Sequence, residues 1–269
     1  MLPARRTRNV VTPQASKRDD DIQASRRLAL PRDGAACMRK CLRWVAVMVA
    51  LVLIASLVPG QAEARTKGKN WDLAKDFQTA PSQSNPSSDR YGNQRVWSYL
   101  AGTANDRRSY RLLPDFTTEK LHVSGLQSWW GSYQSIDEAD RLPAVGINKT
   151  GQTVHPYGLD WPSNQVLVHP LGEDGAVVMA WRSPFTGRVR ITGRAELSAP
   201  TCGNGVRWSV RDGSRVVRKG RLEDDDGDTW KVSRRHVKKG DKIYLVVDST
   251  DGDFACDSTL VRLKIRRVK

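Results

Sequence analysis

Between Ala176 and Leu197 the chain reads AVVMAWRSPFTGRVRITGRAEL, and its alternation of side-chain types restricts the fold more than any other stretch. Val177, Met179 and Trp181 fall on one side of an extended chain and Val178 and Ala180 on the other. That period of two belongs to strands and not to helices. Ser183-Pro184-Phe185-Thr186-Gly187 supplies turn chemistry, because proline presets φ and glycine accepts φ > 0. Val189, Ile191 and Ala195 resume the alternation, with Arg188, Arg190 and Arg194 on the opposite, solvent side. Gly193, inside the second run, marks a bulge or a close backbone approach. The stretch is expected to form a two-stranded hairpin at the centre of an all-β domain.

Short strand-like pieces surround it. Trp97 and Tyr99 alternate in VWSYLAG, Leu121-His122-Val123 leads into Gly125 to Gly131, and Val206 to Val210 is followed by Arg215 to Val217. The latter two are separated by Asp212-Gly213, a strong hairpin signal. Ile243 to Val247 and Leu260 to Val268 come last; in the final run Val261, Leu263 and Ile265 oppose Arg262, Lys264 and Arg266. No helical period competes after Val96, and about nine or ten strands with a turn every 8–12 residues point to a β-sandwich, jelly-roll-like in form. Residues 132–175, with Pro143, Pro156, Pro162 and Pro170, are expected to be loop-heavy and to carry binding residues.

The segment before the sandwich divides into three. Arg39, Lys40 and Arg43 precede an apolar run from Trp44 to Val58, broken only by Ser56, and Ala62-Glu63-Ala64 fits a small-residue cleavage site. The run is short of the roughly 20 residues that a membrane helix needs. Residues 38–64 are therefore expected to be a secretory signal cleaved after Ala64, leaving no stable membrane span, with an uncleaved anchor as the rival. Residues 1–37, polar and aperiodic, are expected to be a disordered tail or an over-extended reading frame. Residues 65–95, with Pro81, Pro86 and several serines, read as a linker or arm in which Trp71 and Phe77 are the residues able to dock. The sandwich then occupies 96–269.

Beyond Ala64 lie 33 of the 44 basic residues and 24 of the 29 acidic ones, a net charge of +9 where the whole chain has +15. Such an excess favours anionic surfaces and wall polymers. The charge is spread over many strands without a nucleic-acid motif, so no nucleic-acid partner is expected. Two cysteines remain, Cys202 and Cys256. In an oxidising compartment a distant pair is expected to form a disulfide.

Aromatic residues are the first binding candidates: Trp129, Trp130, Tyr133, Tyr157 and Trp161 fall around the loop-rich region. Sugar rings stack their C–H faces on flat aromatic platforms while a few polar groups fix the hydroxyls. Core packing is the competing reading, since tryptophan is highly buried on average. Adjacent Trp129 and Trp130 in a strand face opposite ways, so only one of them could serve as a platform. Trp181 and Trp208, within alternating runs, read as core. His155-Pro156 and His169-Pro170 are pocket candidates against a competing role in loop packing.

Acidic loops come second. Glu223 to Asp228 places five carboxylates in six residues, and Asp248, Asp251, Asp253 and Asp257 surround Cys256. Calcium takes six to eight oxygens from flexible loops, which makes Asp224, Asp226, Asp228, Asp251, Asp253 and Asp257 candidate calcium ligands. Solvated turns rich in aspartate are the alternative. No catalytic constellation rises above background: the four histidines lack metal spacing and no G-x-S-x-G elbow occurs. Asp137, Glu138 and Asp140 beside the tryptophan-rich segment are the nearest to a carboxylate pair.

Four features stand in a familiar order. They are Trp181, Pro184 and Gly187; Gly203, Gly205 and Val206; Gly240-Asp241; and Asp257 with Thr259. In that order the chain from about Ala176 to Val268 resembles the sugar-binding-like β-sandwich accessory modules of secreted bacterial glycoside hydrolases and large surface or toxin proteins. The resemblance implies a non-catalytic module that binds carbohydrate or cell-wall polymer. An adhesion protein for a protein or anionic surface is the alternative, and a carbohydrate-active hydrolase or lyase the next.

Overall fold

Two sheets of antiparallel strands face one another in the computed structural model of the chain, which describes residues 68–79, 84–133, 141–172, 175–199, 202–223 and 227–269. The strands are β1 (Asn70–Asp72), β2 (Trp97–Gly102), β3 (Arg111–Leu112), β4 (Asp115–Thr117), β5 (Leu126–Tyr133), β6 (Leu142–Asn148) and β7 (Val166–His169). After them come β8 (Ala176–Arg182), β9 (Gly187–Leu197), β10 (Val206–Asp212), β11 (Arg215–Leu222), β12 (Gly227–Val237), β13 (Lys242–Ser249) and β14 (Thr259–Val268). Among the described residues a short α-helix, α1 (Leu73–Thr79), follows β1. The larger sheet is ordered β12-β9-β14-β7-β6-β5-β4 and the smaller β11-β10-β13-β8-β2-β3. The chain is a β-sandwich, as the alternation requires.

β14 is the spine of the larger sheet. One edge pairs with β9 along its whole length, and the other is shared, β7 taking Thr259–Val261 and β1 taking Lys264–Arg266. Its inward Val261, Leu263 and Ile265 are buried while Arg262, Lys264 and Arg266 are exposed. The core between the sheets holds Trp71, Trp97, Trp181, Trp208 and Trp230 among aliphatic residues of both layers. Asp212-Gly213 closes the expected hairpin of β10 and β11.

The central hairpin is not one. β8 and β9 are the two strands expected from AVVMAWRSPFTGRVRITGRAEL, but they belong to different sheets, and Ser183–Thr186 crosses from one layer to the other. Both edges of β8 are taken, by β13 and by β2. Both of its faces are also covered: Val177, Met179 and Trp181 enter the main core, and Val178 and Ala180 pack outward against Tyr244, Val246 and Leu100. β9 has one apolar face only and pairs instead with β12 and β14. The crossing is pinned by backbone bonds from Ser183 N to Asp241 O and from Gly240 N to Ser183 O.

The stretch 65–95, expected as a linker or arm, contributes β1 and α1 to the fold, and Trp71, Leu73 and Phe77 are buried. Its polar residues serve buried indoles. Trp71 Nε1 donates to Asp89 (2.7 Å), and Trp97 Nε1 donates to Asp76 (2.9 Å). Arg90 closes the Asp76 site with an ion pair at 2.7 Å. Burial pushes the Asp76 carboxyl up, opposed by the Trp97 hydrogen bond and by Arg90. Residues 132–175, expected to be loop-heavy, supply β6 and β7, because Val145, Ile147, Val166 and Val168 alternate into the core. The N-terminal extension 1–37 and the signal segment 38–64 lie outside the described residues.

Candidate functional site

A cup of about 340 Å³ opens on the outer face of β5, β6 and β7. Cross-strand register builds its floor: Ser128 lies opposite Gly146, Gly146 opposite Leu167, and Ala144 opposite His169. Small side chains at 128, 144 and 146 leave the depression that larger ones would fill. At Gly146 even a Cβ would sit 2.8 Å from the Trp161 ring. Trp161 forms a wall with Leu121, Leu159 and Leu167, and Cys256 and Ser258 approach from the far side.

The segment that carries Trp161 is tied down from below. The buried Asn148 donates through Nδ2 to the carbonyls of Gln152 (2.8 Å) and Trp161 (2.7 Å). Trp161 Nε1 in turn donates to Gln165 O at 2.9 Å. Within this braced loop Tyr157 stands 70% exposed at the rim of the cup. Both rims hold non-glycine residues in the left-handed region, with φ of 51° at Tyr157 and 56° at Leu121 and His122. Such backbone costs roughly 1–3 kcal/mol per residue and recurs at ligand clamps.

Lys120 and His169 bring basic side chains to the cup. Lys120 is buried, and its Nζ donates to Arg141 O at 2.8 Å. Burial pulls the His169 imidazole down to about 4; the Pro170 carbonyl opposes this and Lys120 adds to it. His169 Nδ1 lies 2.8 Å from Pro170 O, a carbonyl that can only accept, so the proton is on Nδ1. At neutral pH Nε2 is therefore an acceptor. The cup combines an apolar floor and walls, one exposed aromatic ring, a cationic donor and a neutral acceptor, which suits an uncharged polar ligand with a flat apolar face.

The five aromatic candidates separate. Tyr157 and Trp161 come together in the cup, Trp161 as a buried wall and Tyr157 as the exposed ring. Trp129 is buried in the inter-sheet core between Phe116 and Tyr99, with ring centroids 4.9 and 6.4 Å away. Trp130 points to the outer face beside Ala144, buried beneath the Arg141 guanidinium at 4.5 Å. The side chain of Tyr133 lies outside the described residues, as do Asp137, Glu138 and Asp140. His155, by contrast, is solvent-facing and 2.7 Å from Asp160. Lys120, Leu121, Leu159, Ser128 and Ala144 carry no sequence signal of their own; strand register places Ser128 and Ala144, and the loops before β5 and after β6 bring Lys120, Leu121 and Leu159 to them.

Cys202 and Cys256 form the expected disulfide, closing a separation of 54 residues. The calcium candidates do not assemble: among the described residues no group of three or more His, Cys, Asp or Glu side chains could hold a metal. Asp224 and Asp226 lie outside the described residues, and Asp251 and Asp253 are exposed. Asp257 differs from them. It is 1% exposed, and neither carboxylate oxygen has a hydrogen-bond partner. Burial first, then Asp253 and Asp248, push its carboxyl up to about 7. Thr250 Oγ1 and Asn204 Oδ1 are likewise buried and unpartnered, on segments joined by the bond from Asn204 Nδ2 to Thr250 O. Each of these unpartnered atoms is an oxygen, the donor type that a hard cation takes.

No protein-family model matches the chain and no curated protein does. Solved structures similar to it include carbohydrate-binding β-sandwich modules and also pika GITRL, which is 15% identical with a TM-score of 0.24 over 38% of this chain and 83% of that one. The CBM36-1 domain of a multidomain xylanase from the hindgut metagenome of Trinervitermes trinervoides is 15% identical with a TM-score of 0.30, over 46% of this chain and 97% of that one. CBM51 from Clostridium perfringens GH95, solved with methyl-galactose, is 11% identical with a TM-score of 0.33, over 51% and 91%. TmCBM61, solved with β-1,4-galactotriose, is 16% identical with a TM-score of 0.29, over 46% and 87%. At these identities and TM-scores the likenesses carry no argument about this chain's ligand or role.

Proposed function

We propose that this protein is a secreted β-sandwich that binds carbohydrate without transforming it, and that the cup beneath Tyr157 is the binding site. One observation carries the reading: a tyrosine ring standing 70% exposed over an apolar cup of about 340 Å³, on a loop otherwise braced by buried hydrogen bonds. The volume suits one or two sugar rings, with the Tyr157 ring as the stacking platform. His169 Nε2 accepts from a hydroxyl and the Lys120 side chain approaches as a donor. Binding rather than hydrolysis is favoured because glycosidases work with two carboxylates, and no Asp or Glu is among the described residues that line the cup. Secretion is supported by the signal-like run at 38–64 and by the disulfide, which needs an oxidising compartment.

A calcium ion belongs to the same proposal, as a structural group rather than a participant in binding. Asp257, with Thr250 and Asn204, would hold it and so anchor the loop that carries the disulfide. Retention of the full chain on a panel of neutral polysaccharides and cell wall, with product analysis of each supernatant, tests the main reading. Retention that survives high salt with no released sugar supports it. Released oligosaccharide overturns it in favour of an enzyme.

A further inference from the structure

On the same outer face, away from the cup, β9 and β14 set cations against one another. Register places Arg190 directly opposite Arg266 and Arg194 directly opposite Arg262. Directly opposed side chains have Cβ atoms about 5 Å apart, and like charges there destabilise a sheet. Acidic residues nearby are already engaged: Glu196 with Arg194 at 2.9 Å, and Asp72 with Lys264 at 3.5 Å. Among the described residues no carboxylate pairs with Arg190, Arg262 or Arg266, and the half-buried Arg190 has a buried Nε without a partner.

The cationic face is shaped as well as charged. A groove of about 920 Å³ runs over Arg188, Arg190, Arg266, Arg267 and Lys69, and a second cavity of about 410 Å³ continues it, sharing Asn70, Arg190 and Arg266. Neighbouring strands lie about 4.8 Å apart and same-face residues about 6.8 Å apart along a strand. Cations therefore recur on a two-dimensional grid, which suits a chain of repeated anions better than one small ion. Among the described residues that line the two cavities Trp71 is the one indole, phenol or phenyl ring, and it is buried, while the His236 imidazole is exposed. Among those described residues a strand of nucleic acid would find no exposed Trp, Tyr or Phe ring for successive bases, and a single imidazole in their place.

We propose that this face binds a linear anionic polysaccharide through its carboxylate or phosphate groups, separately from the neutral-sugar cup. Arg190 and Arg266 are the central pair. The inference does not rest on the cup, since the two sites share no residue.

The test measures binding of the full chain to polygalacturonate, to a glycerol-phosphate polymer, to methyl-esterified polygalacturonate and to single-stranded dT of matched length, across a salt series. Wild type is expected to bind one or both anionic glycan polymers, to lose that binding with rising salt, and to ignore the esterified form. R190Q/R266Q is expected to weaken binding at least tenfold and to flatten the salt dependence, with an unchanged or higher melting temperature. Tyr157→Ala is expected to leave it unaltered. Equal weakening by R218Q/R221Q on β11 would reduce the effect to net charge and overturn the proposal. So would unchanged binding in R190Q/R266Q, or tighter binding of dT than of either glycan polymer. The carboxylate and phosphate polymers distinguish which anion the face takes.

Discussion

Trp208 and Trp230 stack across the sandwich with ring centroids 4.4 Å apart and planes 28° from parallel, although β10 and β12 belong to different sheets. Each indole lies over a glycine. A Cβ on Gly193 would collide with the Trp230 ring and the Arg262 carbonyl, and one on Gly220 would come within 2.7 Å of the Trp208 ring. The glycine inside β9 is thus a close approach, one of the two readings its place in a strand allowed.

Gly193→Ala is accordingly expected to cost about 2 kcal/mol or more, because overpacking here meets backbone and a held ring. For a domain of this size that is a fall of roughly 4–8 °C in melting temperature. Gly213→Ala, where a Cβ meets nothing within 4 Å but φ is +61°, supplies a comparison with strain alone. A smaller loss at Gly193 than at Gly213 would contradict the packing account.

The Cys202–Cys256 bond is expected to contribute about 2–4 kcal/mol. Chemical denaturation with and without reductant, beside the Cys202→Ala/Cys256→Ala variant, measures it. Coincident midpoints in all three would show that the bond contributes nothing.

His169 makes stability depend on pH. Its folded value of about 4 lies below the ordinary 6.5, so the unfolded chain binds more protons between those values. Stability from this group is complete above about pH 6.5 and is lost as pH falls toward 4, by at most about 3 kcal/mol. His169→Gln is expected to remove this acid-side loss and to leave the opposite slope of Asp257, whose carboxyl, pushed up to about 7, makes stability fall as pH rises over the same window; the pH dependence of the wild type, unchanged in the variant, would show that His169 contributes nothing.

Calcium is expected to raise the melting temperature of the wild type, and chelator to reverse the rise. In Asp257→Asn the response to calcium should vanish, while stability without calcium is equal or higher because a buried, unpartnered carboxylate is gone. A response to calcium that survives in Asp257→Asn would place the ion elsewhere.

Trp129→Ala is expected to lose about 3–5 kcal/mol, as a buried core tryptophan does. That outcome would separate it from Tyr157, whose removal from an exposed rim should leave the melting temperature within about 1 °C.

Alternation along β8, β9 and β14 let the sequence tell which side chains face inward, since the period of two is a property of each strand alone. Which strands pair is a property of the whole, and there the reading of β8 and β9 as a hairpin fails: Ser183–Thr186 looks like a turn whether it returns the chain to the same sheet or carries it across. The segment around Asp76 and Asp89 misleads for another reason. Its polar composition reads as solvated, while its carboxylates accept the Trp71 and Trp97 indole hydrogens inside the fold. Of the candidate site, Tyr157, Trp161 and His169 were legible as aromatic and imidazole groups near prolines. Ser128, Ala144 and Gly146 were not, because a depression made by small residues exists only once three strands are in register.

The measurement that bears most directly on the cup is retention of wild type and Tyr157→Ala on the polysaccharide that holds the wild type, at high salt and with both melting temperatures recorded. The expected result is retention by the wild type, loss of at least tenfold in affinity for Tyr157→Ala, equal melting temperatures and no released sugar. Equal retention of the two proteins would contradict the assignment of the cup as the sugar site.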